Sequence, residues 1–418
     1  MSDRPVDKEP VAASTLRPGK MKQTAKGRVA QVTTYFTLLI AAVVVLVPFV
    51  LAFFGSFKTA EDVFVYPPRL LPYEAVTTTL EDKQLPLFLV PTADGGTTEL
   101  ARLENGTSLR EFIAVDDSEF VVVGIAESVT PTSDIVTVDG EDKEVFILST
   151  PTGDVRVFDN KSRIGGTYID PANPNAPPVF AVASAVTAVE RVGFQGENYS
   201  KVLELEGFGR SLTNTVFVTV LVVIGQVFTS ILGGYAFARL RFKGRDKIFL
   251  LYLGSIMIPF VVLLIPLYRL MIAIGWGNTL TSLIIPFVFT AYGTFLMRQF
   301  FVSIPKELEE AAVIDGASRW TILWKVFFPL SIPAVATLST FSFLYAWNSF
   351  VWPLIIIDSG NTDGSVLALT LSVLGGRAAD TPNLVLAGVV TAMIAPIVVF
   401  LVAQRYFVAN VASSGLKG

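Results

Sequence analysis

The chain has 418 residues and a formal net charge of −4; 52% of its residues are hydrophobic and 16% are charged. Its mean hydropathy of +0.58 is too high for an ordinary soluble domain and predicts a polytopic membrane protein. Histidine and cysteine are absent, which excludes imidazole acid–base catalysis, thiolate nucleophiles and the common zinc and iron–sulfur sites. No G-x-x-x-x-G-K-[ST] loop occurs, so ATP is not bound through a Walker A sequence. We therefore expect no catalytic residue, no metal and no cofactor.

The N-terminal region predicts a cytoplasmic leader and a first membrane span. Residues 1–30 contain seven Lys or Arg and three acids, and residues 31–55 are apolar enough to cross a bilayer. A secretory signal is the alternative interpretation. The apolar stretch is too long for one, and no small-x-small cleavage site follows it.

Residues 61–208 are predicted to form a separate extracytoplasmic insert. Between Glu61 and Arg210 there are 25 acids and 11 basic residues, a net charge of −14, so the remainder of the chain carries −4 + 14 = +10. The acidity is typical of a soluble external surface, and a surface for a basic partner is the alternative. The sign and side of this charge argue against nucleic acid as a partner. Two Asn-x-Ser/Thr matches, at Asn105 and Asn198, are short enough to arise by chance.

Short β-branched and aromatic segments in the insert predict strands. They begin at Glu119, Asp134, Glu144 and Asp154 and read EFVVVGIA, DIVTV, EVFILST and DVRVF. Turn residues between them, Asp139-Gly140 and Thr152-Gly153, favour an antiparallel meander or a small barrel. The run DPANPNAPP from Asp170 predicts an irregular loop.

Residues 209–408 are predicted to form a five-helix membrane core. Its apolar runs cover 212–236, 248–271, 280–301, 328–351 and 385–406. Five cations between residues 239 and 247 place that connection, like the leader, in the cytoplasm. Six spans then put the tail, residues 409–418, on the same side. The predicted fold is an all-α polytopic membrane protein with six transmembrane helices and an inserted β-rich extracytoplasmic domain.

A polar segment in the core, residues 303–328, predicts a helical elbow. Pro305 marks a helix start, Gly316 permits a bend, and an amphipathic helix resumes at Arg319 before Pro329 opens the next span.

An interfacial helix lying on the bilayer is the alternative for the elbow. However, an anionic leaflet would repel its acidic face, which carries Glu307, Glu310 and Asp315. A protein groove is therefore the better partner for this segment.

At the elbow the sequence resembles the inner-membrane permease subunits of binding-protein-dependent ATP-binding-cassette importers, in the carbohydrate branch that includes the maltose-type permeases. The coupling motif of that family is E-A-A, then D-G-A, then a proline about a dozen residues beyond the glycine. It stands here as Glu310-Ala311-Ala312, Asp315-Gly316-Ala317 and Pro329. Other stretches similar to this branch are SFKTAEDVFVYPPRLLP, GYAFARLRFKGR, IPLYRL, SIPKELEEAA, FSFLYAWNSFVWPL and QRYFVANVASSGLKG. The resemblance covers nearly everything except the leader and the insert.

The resemblance implies a half-channel that pairs with a second, different permease subunit, an ATPase dimer and an external solute-binding protein. It implies that the elbow is seated in a cleft of the ATPase and transmits its closure mechanically. Glu310 and Asp315 would meet basic or polar groups there, Ala311 and Ala312 would allow close contact, and Gly316 would form the bend. The chain itself would hydrolyse nothing, and its substrate would be a carbohydrate.

Residues of the fifth span are candidates for the substrate path. Aromatic faces stack on sugar rings and amides bond to hydroxyls, which singles out Tyr345, Trp347, Asn348 and Ser349. Trp347 as a residue of the aromatic belt at the membrane interface is an equal alternative.

Two other classes of function are weighed against the transporter. A membrane-anchored receptor or scaffold would act through the external domain, but the elbow and the lack of a cytoplasmic signalling domain argue against it. A secondary carrier usually needs an intramembrane acid, and the spans contain none.

Overall fold

The computed structural model describes residues 25–414 except 81, 93–95, 119, 139 and 151–152, and side chains from residue 31 to residue 406 with the same exceptions. The leader before Ala25, Glu119, the turn residues Asp139 and Thr152, and the tail from residue 415 lie outside the described residues. The chain divides between Leu51 and Ala52 into two compact units.

Helices account for the apolar part of the chain. The first one, α1, is a long apolar helix, and most of the others lie after the insert. Their bounds are α1 Ala25–Gly55, α2 Ala60–Val63, α3 Glu197–Glu204, α4 Phe208–Arg239, α5 Arg245–Gly254, α6 Phe260–Ala273, α7 Thr281–Ile284, α8 Ala291–Ser303, α9 Lys306–Ile314, α10 Arg319–Ile322, α11 Phe328–Leu330, α12 Ile332–Trp347, α13 Val351–Ile356, α14 Leu367–Gly375 and α15 Pro382–Ser414.

Four helical segments of the described chain are individually long and apolar enough to cross a membrane: 31–55, 208–239, 281–303 and 382–406. The other two predicted spans are each broken. Residues 245–257 and 260–273 meet at 98°, and residues 319–330 and 332–356 meet at 79°. The first break lies at Pro259, because a proline disfavours helical backbone at the residue before it. That residue, Ile258, is extended. Counting each bent pair as one span gives the six that the sequence predicts.

Strands occupy the insert between Tyr73 and Val192, inside the predicted bounds 61–208. The four predicted strands are present as β5 to β8, and earlier and later strands join them. The bounds are β1 Tyr73–Ala75, β2 Thr77–Leu80, β3 Lys83–Pro91, β4 Thr97–Ala114, β5 Val121–Gly124, β6 Thr130–Val138, β7 Glu141–Thr150, β8 Gly153–Ile169, β9 Val179–Val182, β10 Thr187–Ala188 and β11 Glu190–Val192.

The main sheet is antiparallel and is organised around two long strands. Its order is β10-β3-β4-β8-β7-β6, with β2 on β3, β5 on β4 and β9 on β8. The segment β6-β7-β8 is the predicted meander, with Gly140 and Gly153 at positive φ in its turns. The pairing of β4 with β8, which the local pattern does not reveal, joins residues 101–114 to residues 169–157.

Two apolar clusters stabilise the sheet, one toward each end of the β4–β8 pair. Leu100 and Tyr168 belong to the first, and Phe112 and Val157 belong to the second. Burial raises the pKa of the Tyr168 hydroxyl above its ordinary value. The insert therefore has its own core, separate from the apolar clusters of the membrane helices.

A charged network, here called the neck, forms where the chain enters and leaves the insert. Asp62 is buried and accepts hydrogen bonds from Arg69 (2.8 Å) and from the Tyr73 amide (3.0 Å). The buried ammonium of Lys58 lies 3.4 Å from Asp62 and donates to the Arg69 carbonyl at 2.6 Å. Arg69 also pairs with Glu190 of β11, and this hydrogen bond raises the pKa of its guanidinium. Two buried or half-buried cations thus meet two anions beside the β1–β11 pair.

Polar contacts connect the neck to the last long helix. The buried Asn198 side chain of α3 donates to the carbonyls of Ser56 (2.8 Å) and Lys58 (2.9 Å). It accepts a hydrogen bond from Asn383, at the start of α15, at 2.9 Å. Asn198 is therefore a structural residue rather than an exposed glycosylation position.

We expect Asp62→Ala to destabilise the protein strongly, because it leaves the buried Lys58 ammonium without a carboxylate. Breaking one side of a buried pair costs about 3–5 kcal/mol. Thermal unfolding of the purified protein measures this loss. Asp134→Ala is the matched control, since it removes an exposed carboxylate paired with Arg156 at 3.2 Å and should cost no more than about 1 kcal/mol. Equal effects of the two substitutions would contradict a stabilising role for the neck.

Candidate functional site: the elbow and the midspan groove

The first half of the elbow is a helix with a glycine cap. After Pro305, α9 runs to Ile314, and Gly316 follows at φ +76°. The Gly316 amide donates to the Val313 carbonyl (3.0 Å) and the Ala317 amide to the Ala312 carbonyl (2.9 Å). These two bonds define a Schellman motif. The D-G-A part of the coupling motif therefore ends α9 and turns the chain, as the sequence predicts for Gly316.

The second half of the elbow packs against the membrane helices. The Ser318 hydroxyl accepts from the Thr321 amide at 3.2 Å and caps α10, which continues through a π-helical stretch, Leu323–Phe327, into α11. Ile322, Leu323 and Phe327 are buried in a cluster with residues of α4 and α8.

One prediction for the elbow is wrong. Pro329 does not open the following span, because the helical backbone continues through it to Leu330 in α11. The next long helix starts at Ile332, after the bend at Ser331. Pro333 lies in the first turn of that helix, where its missing amide removes no hydrogen bond.

An ion triad of Arg239, Glu309 and Arg319 joins the elbow to α4. Glu309, in α9, lies 2.6 Å from Arg319 and 3.5 Å from Arg239, the last residue of α4. The Arg239 side chain is only 5% exposed and also donates to the carbonyls of Phe301 (2.6 Å) and Ile304. Its guanidinium lies 4.8 Å from the centre of the Phe327 ring. Sequence reasoning missed Glu309, although it directly precedes the E-A-A motif.

The coupling-motif residues divide into two sets. Ala312 and Ala317 are half-buried and pack against the apolar cluster beneath the elbow. Glu310, Ala311, Asp315, Gly316 and Pro329 are exposed. Beside these exposed residues lie two large apolar side chains, Ile314 (85% exposed) and Trp320 (59% exposed). The outer face of the elbow is therefore both acidic and apolar, while its inner face is fixed.

A second site is a cavity of about 610 Å³ between α4, α8 and α12, here called the midspan groove. Its lining includes Gln226, Thr290, Tyr292, Phe341, Ser342 and Tyr345. Gln226 is buried, accepts from the Ser342 hydroxyl (2.6 Å) and donates to the Phe287 carbonyl (2.8 Å).

The groove lies where the fourth span is interrupted. Between α7 and α8 the chain leaves the α-helix from Ile285 and resumes it at Ala291, with Thr290 as the N-cap. The Val288 carbonyl accepts from Thr229 of α4 at 2.7 Å. A Cβ on Gly225 would lie 2.6 Å from Val288, so this glycine lets α4 approach the break.

Three of the four predicted substrate-path residues, Tyr345, Trp347 and Ser349, line one narrow pocket of about 20 Å³, and Asn348 lies outside it. The four do not lie together in the midspan groove. Tyr345 lines the midspan groove and is exposed. Trp347 is buried, lies outside the groove, donates to the Ala392 carbonyl (3.2 Å) and stacks on Phe343. The side-chain amide of Asn348 donates a hydrogen bond to the Leu344 carbonyl at 2.9 Å. Ser349 is half-buried and lies outside the groove. Phe341 and Ser342 lie on the same helix as Tyr345, whereas Gln226, Thr290 and Tyr292 come from α4 and from the start of α8, which no local pattern connects to α12.

Comparisons with known proteins identify the family. Residues 227–413 match the model of the binding-protein-dependent transport system inner membrane component. The arabinooligosaccharides transport system permease protein AraQ of Halalkalibacterium halodurans is 36% identical over 205 residues, which cover 49% of this chain and 73% of that protein. The chain belongs to this family of transport permeases. The matched residues contain the elbow and every described lining residue of the midspan groove except Gln226.

Two further relatives extend the comparison. The sn-glycerol-3-phosphate transport system permease protein UgpE of Pectobacterium atrosepticum is 33% identical over 207 residues, covering 50% of this chain and 74% of that one. The osmoprotective compounds uptake permease protein GgtD of Synechocystis is 33% identical over 224 residues, covering 53% and 74%. Among solved structures, a bacterial ABC transporter involved in the import of alginate aligns with a TM-score of 0.47 and 28% identity, over 52% of this chain and 81% of that one.

We expect Glu309→Ala to loosen the elbow, because the buried Arg239 guanidinium loses its carboxylate. Removing one member of a buried pair costs about 3 kcal/mol, or about a hundredfold in local opening. Hydrogen exchange of the α9 amides measures this opening. Glu307→Ala, which removes an exposed acid from the same helix, is the control and should leave exchange nearly unchanged. Similar exchange in both variants would contradict the role of the triad.

Proposed function

We propose that this permease is one membrane half of an ATP-driven, binding-protein-dependent importer for a carbohydrate or related polyol. The observation that carries this proposal is the elbow: its inner face is joined to α4 by the ion triad, and its outer face presents Glu310, Asp315, Ile314 and Trp320. An exposed acidic and apolar face on a fixed helix is suited to docking on another protein.

In this proposal the elbow transmits closure of the ATPase into the membrane. Glu310 and Asp315 meet basic or polar groups of the ATPase, Ala311 leaves room for close contact, and Gly316 holds the turn. The half-buried Ala312 and Ala317 keep the elbow seated on its own membrane helices. The coupling is mechanical: closure of the ATPase favours the conformation of the permease to which the ATPase binds more tightly through the elbow. This chain itself hydrolyses no ATP.

The proposed topology has six spans: four single helical segments, one of which, residues 281–303, contains the short break before α8, and the two bent pairs. Both termini and the elbow are cytoplasmic, and the insert is extracytoplasmic. The basic connection from residue 239 to residue 247 supports this orientation, as does the charge of −14 on the insert against +10 on the rest.

The proposed partners are a second permease subunit, an ATPase dimer, an extracytoplasmic solute-binding protein and membrane lipid. The names of two relatives favour a polyhydroxylated substrate, since they refer to arabinooligosaccharides and to a glycerol phosphate.

We propose that the insert contacts the solute-binding protein or the second permease. No specific observation favours the receptor or the secondary carrier: the described spans hold no acid in their central turns.

Glu310→Lys should reduce uptake and substrate-stimulated ATPase activity, because it reverses the charge at the proposed contact. A loss of tenfold or more corresponds to about 1.4 kcal/mol of contact energy. Uptake, ATPase activity of the purified complex and the amount of protein in the membrane are measured together. Asp380→Lys makes the same charge change at an exposed position outside both the elbow and the insert and should leave all three unchanged. Normal uptake and assembly in Glu310→Lys would refute this role.

Replacing residues 76–189 by Asn-Gly should remove the insert without unfolding the membrane core. Ala75 and Glu190 are paired across two antiparallel strands, so a two-residue turn can join them. The neck and α3 are retained. We expect the shortened chain to copurify with the ATPase but to bind the solute-binding protein at least about tenfold more weakly, measured by titration. Unchanged affinity and transport would show that the insert has no part in docking.

A further inference from the structure

We infer that the midspan groove is the surface along which an uncharged, polyhydroxylated solute passes this subunit. The inference rests on the proposed function and names a solute class and a set of residues for it. Of these residues only Tyr345 is singled out by the sequence.

The depth of the groove places it inside the bilayer. Gln226 lies 13 residues before Arg239 in α4, and Thr290 lies 13 residues before Ser303 at the end of α8. At 1.5 Å per residue, both are about 20 Å from the elbow end of their helices. The hydrocarbon core of a bilayer is about 30 Å thick. The groove therefore lies well within the apolar layer.

Irregular backbone at this depth occurs only where it is buried in protein or lines a polar cavity. The break before α8 and the break at Ile258–Pro259 both approach the groove, whose lining includes Ser255 and Ile256. Carbonyls of the first break are satisfied by Gln226 and Thr229. Phe289, between these carbonyls and Thr290, is nevertheless 66% exposed. The groove is thus an opening beside interrupted helices rather than a packed interface.

Two groove hydroxyls need a partner from outside the described chain. Tyr292 and Tyr345 are exposed, and their hydroxyls make no hydrogen bond to any described residue. A hydroxyl in hydrocarbon without a partner is costly, and tyrosine normally finds one. Lipid chains offer no hydrogen bonds, so water or a hydroxyl-bearing solute is the better occupant.

The rings of the groove suit the apolar face of a sugar. Tyr292 and Phe341 meet edge to face at 6.1 Å, and Tyr345 lies 6.1 Å from Phe287. Flat aromatic faces beside hydroxyl donors are the combination that binds sugars and polyols.

The groove also discriminates by charge. Its described lining contains no Lys, Arg, Asp or Glu. An anionic solute at this depth would have no counter-charge and would be strongly disfavoured. This argues for a neutral sugar or polyol over a phosphorylated one, although a relative is named for a glycerol phosphate.

The test uses the absence of cysteine from the chain. Tyr292→Cys and Tyr345→Cys are made separately in the full chain with its copurifying partners, in membrane vesicles. Each is treated with a neutral hydroxyethyl methanethiosulfonate and with the anionic sulfonatoethyl reagent. Phe400→Cys in α15 is the apolar control with similar exposure, and Ser184→Cys in an exposed turn of the insert is the aqueous control.

We expect the neutral reagent to label both groove cysteines and Ser184→Cys but not Phe400→Cys. At the groove cysteines, the ratio of the rate with the neutral reagent to the rate with the anionic reagent should be at least about tenfold higher than the same ratio at Ser184→Cys. Groove cysteines that resist the neutral reagent would show that protein or lipid fills the groove. Equal rates with both reagents would overturn the preference for an uncharged solute.

The two proposals fail differently in this experiment. If no ATPase or second permease copurifies, the proposed function fails, while labelling of the chain in vesicles still reports whether the groove holds water. If the partners copurify and neither groove cysteine is labelled, the transporter stands and the groove is not its passage. Using two positions guards against one substitution that merely disturbs folding.

Discussion

The Glu309 carboxylate between Arg239 and Arg319 is the interaction on which the elbow depends. A nearly buried arginine at the end of a membrane helix needs an anion and carbonyl acceptors, and here it finds both. Its position at the C-terminus of α4 also suits the helix dipole. Glu309 satisfies this requirement, while Glu310 and Asp315 are exposed. Two adjacent glutamates of one helix therefore have different environments.

Helix α4 connects the elbow to the interrupted fourth span and to the segment that leads into α14. Arg239 lies at one end, and Gln226 lies about 20 Å away, where it fixes the interrupted fourth span. Further along, Thr215 accepts a hydrogen bond from the Leu367 amide at 2.7 Å, and Asn214 donates to the carbonyls of Asp363 and Ser365. The elbow and the groove are therefore joined by one continuous helix rather than by flexible loops.

The sequence predicts those features that depend on nearby residues. Apolar length locates the spans, and the E-A-A and D-G-A spacing locates α9 and its glycine turn. Hydropathy reports how apolar a stretch is but not whether its helix axis bends, so it does not show the breaks at Pro259 and Ser331. Strand β4 was missed because ELARLENGTSLREF carries many charges and its partner β8 lies far along the chain. The burial of Glu309 depends on Arg239, 70 residues earlier, and the midspan groove depends on three helices meeting.

The neck resolves a physical conflict between the acidic insert and the basic membrane core. The junction buries Lys58 and Asp62, and an excess of either sign there would be costly. Lys58, Asp62, Arg69 and Glu190 balance to zero, and the carboxylate of Asp62 also accepts the Tyr73 amide at the first strand of the insert. Asn198 and Asn383 then carry the connection to α15. The insert is thus attached to the helices by directed polar contacts rather than by a loose linker.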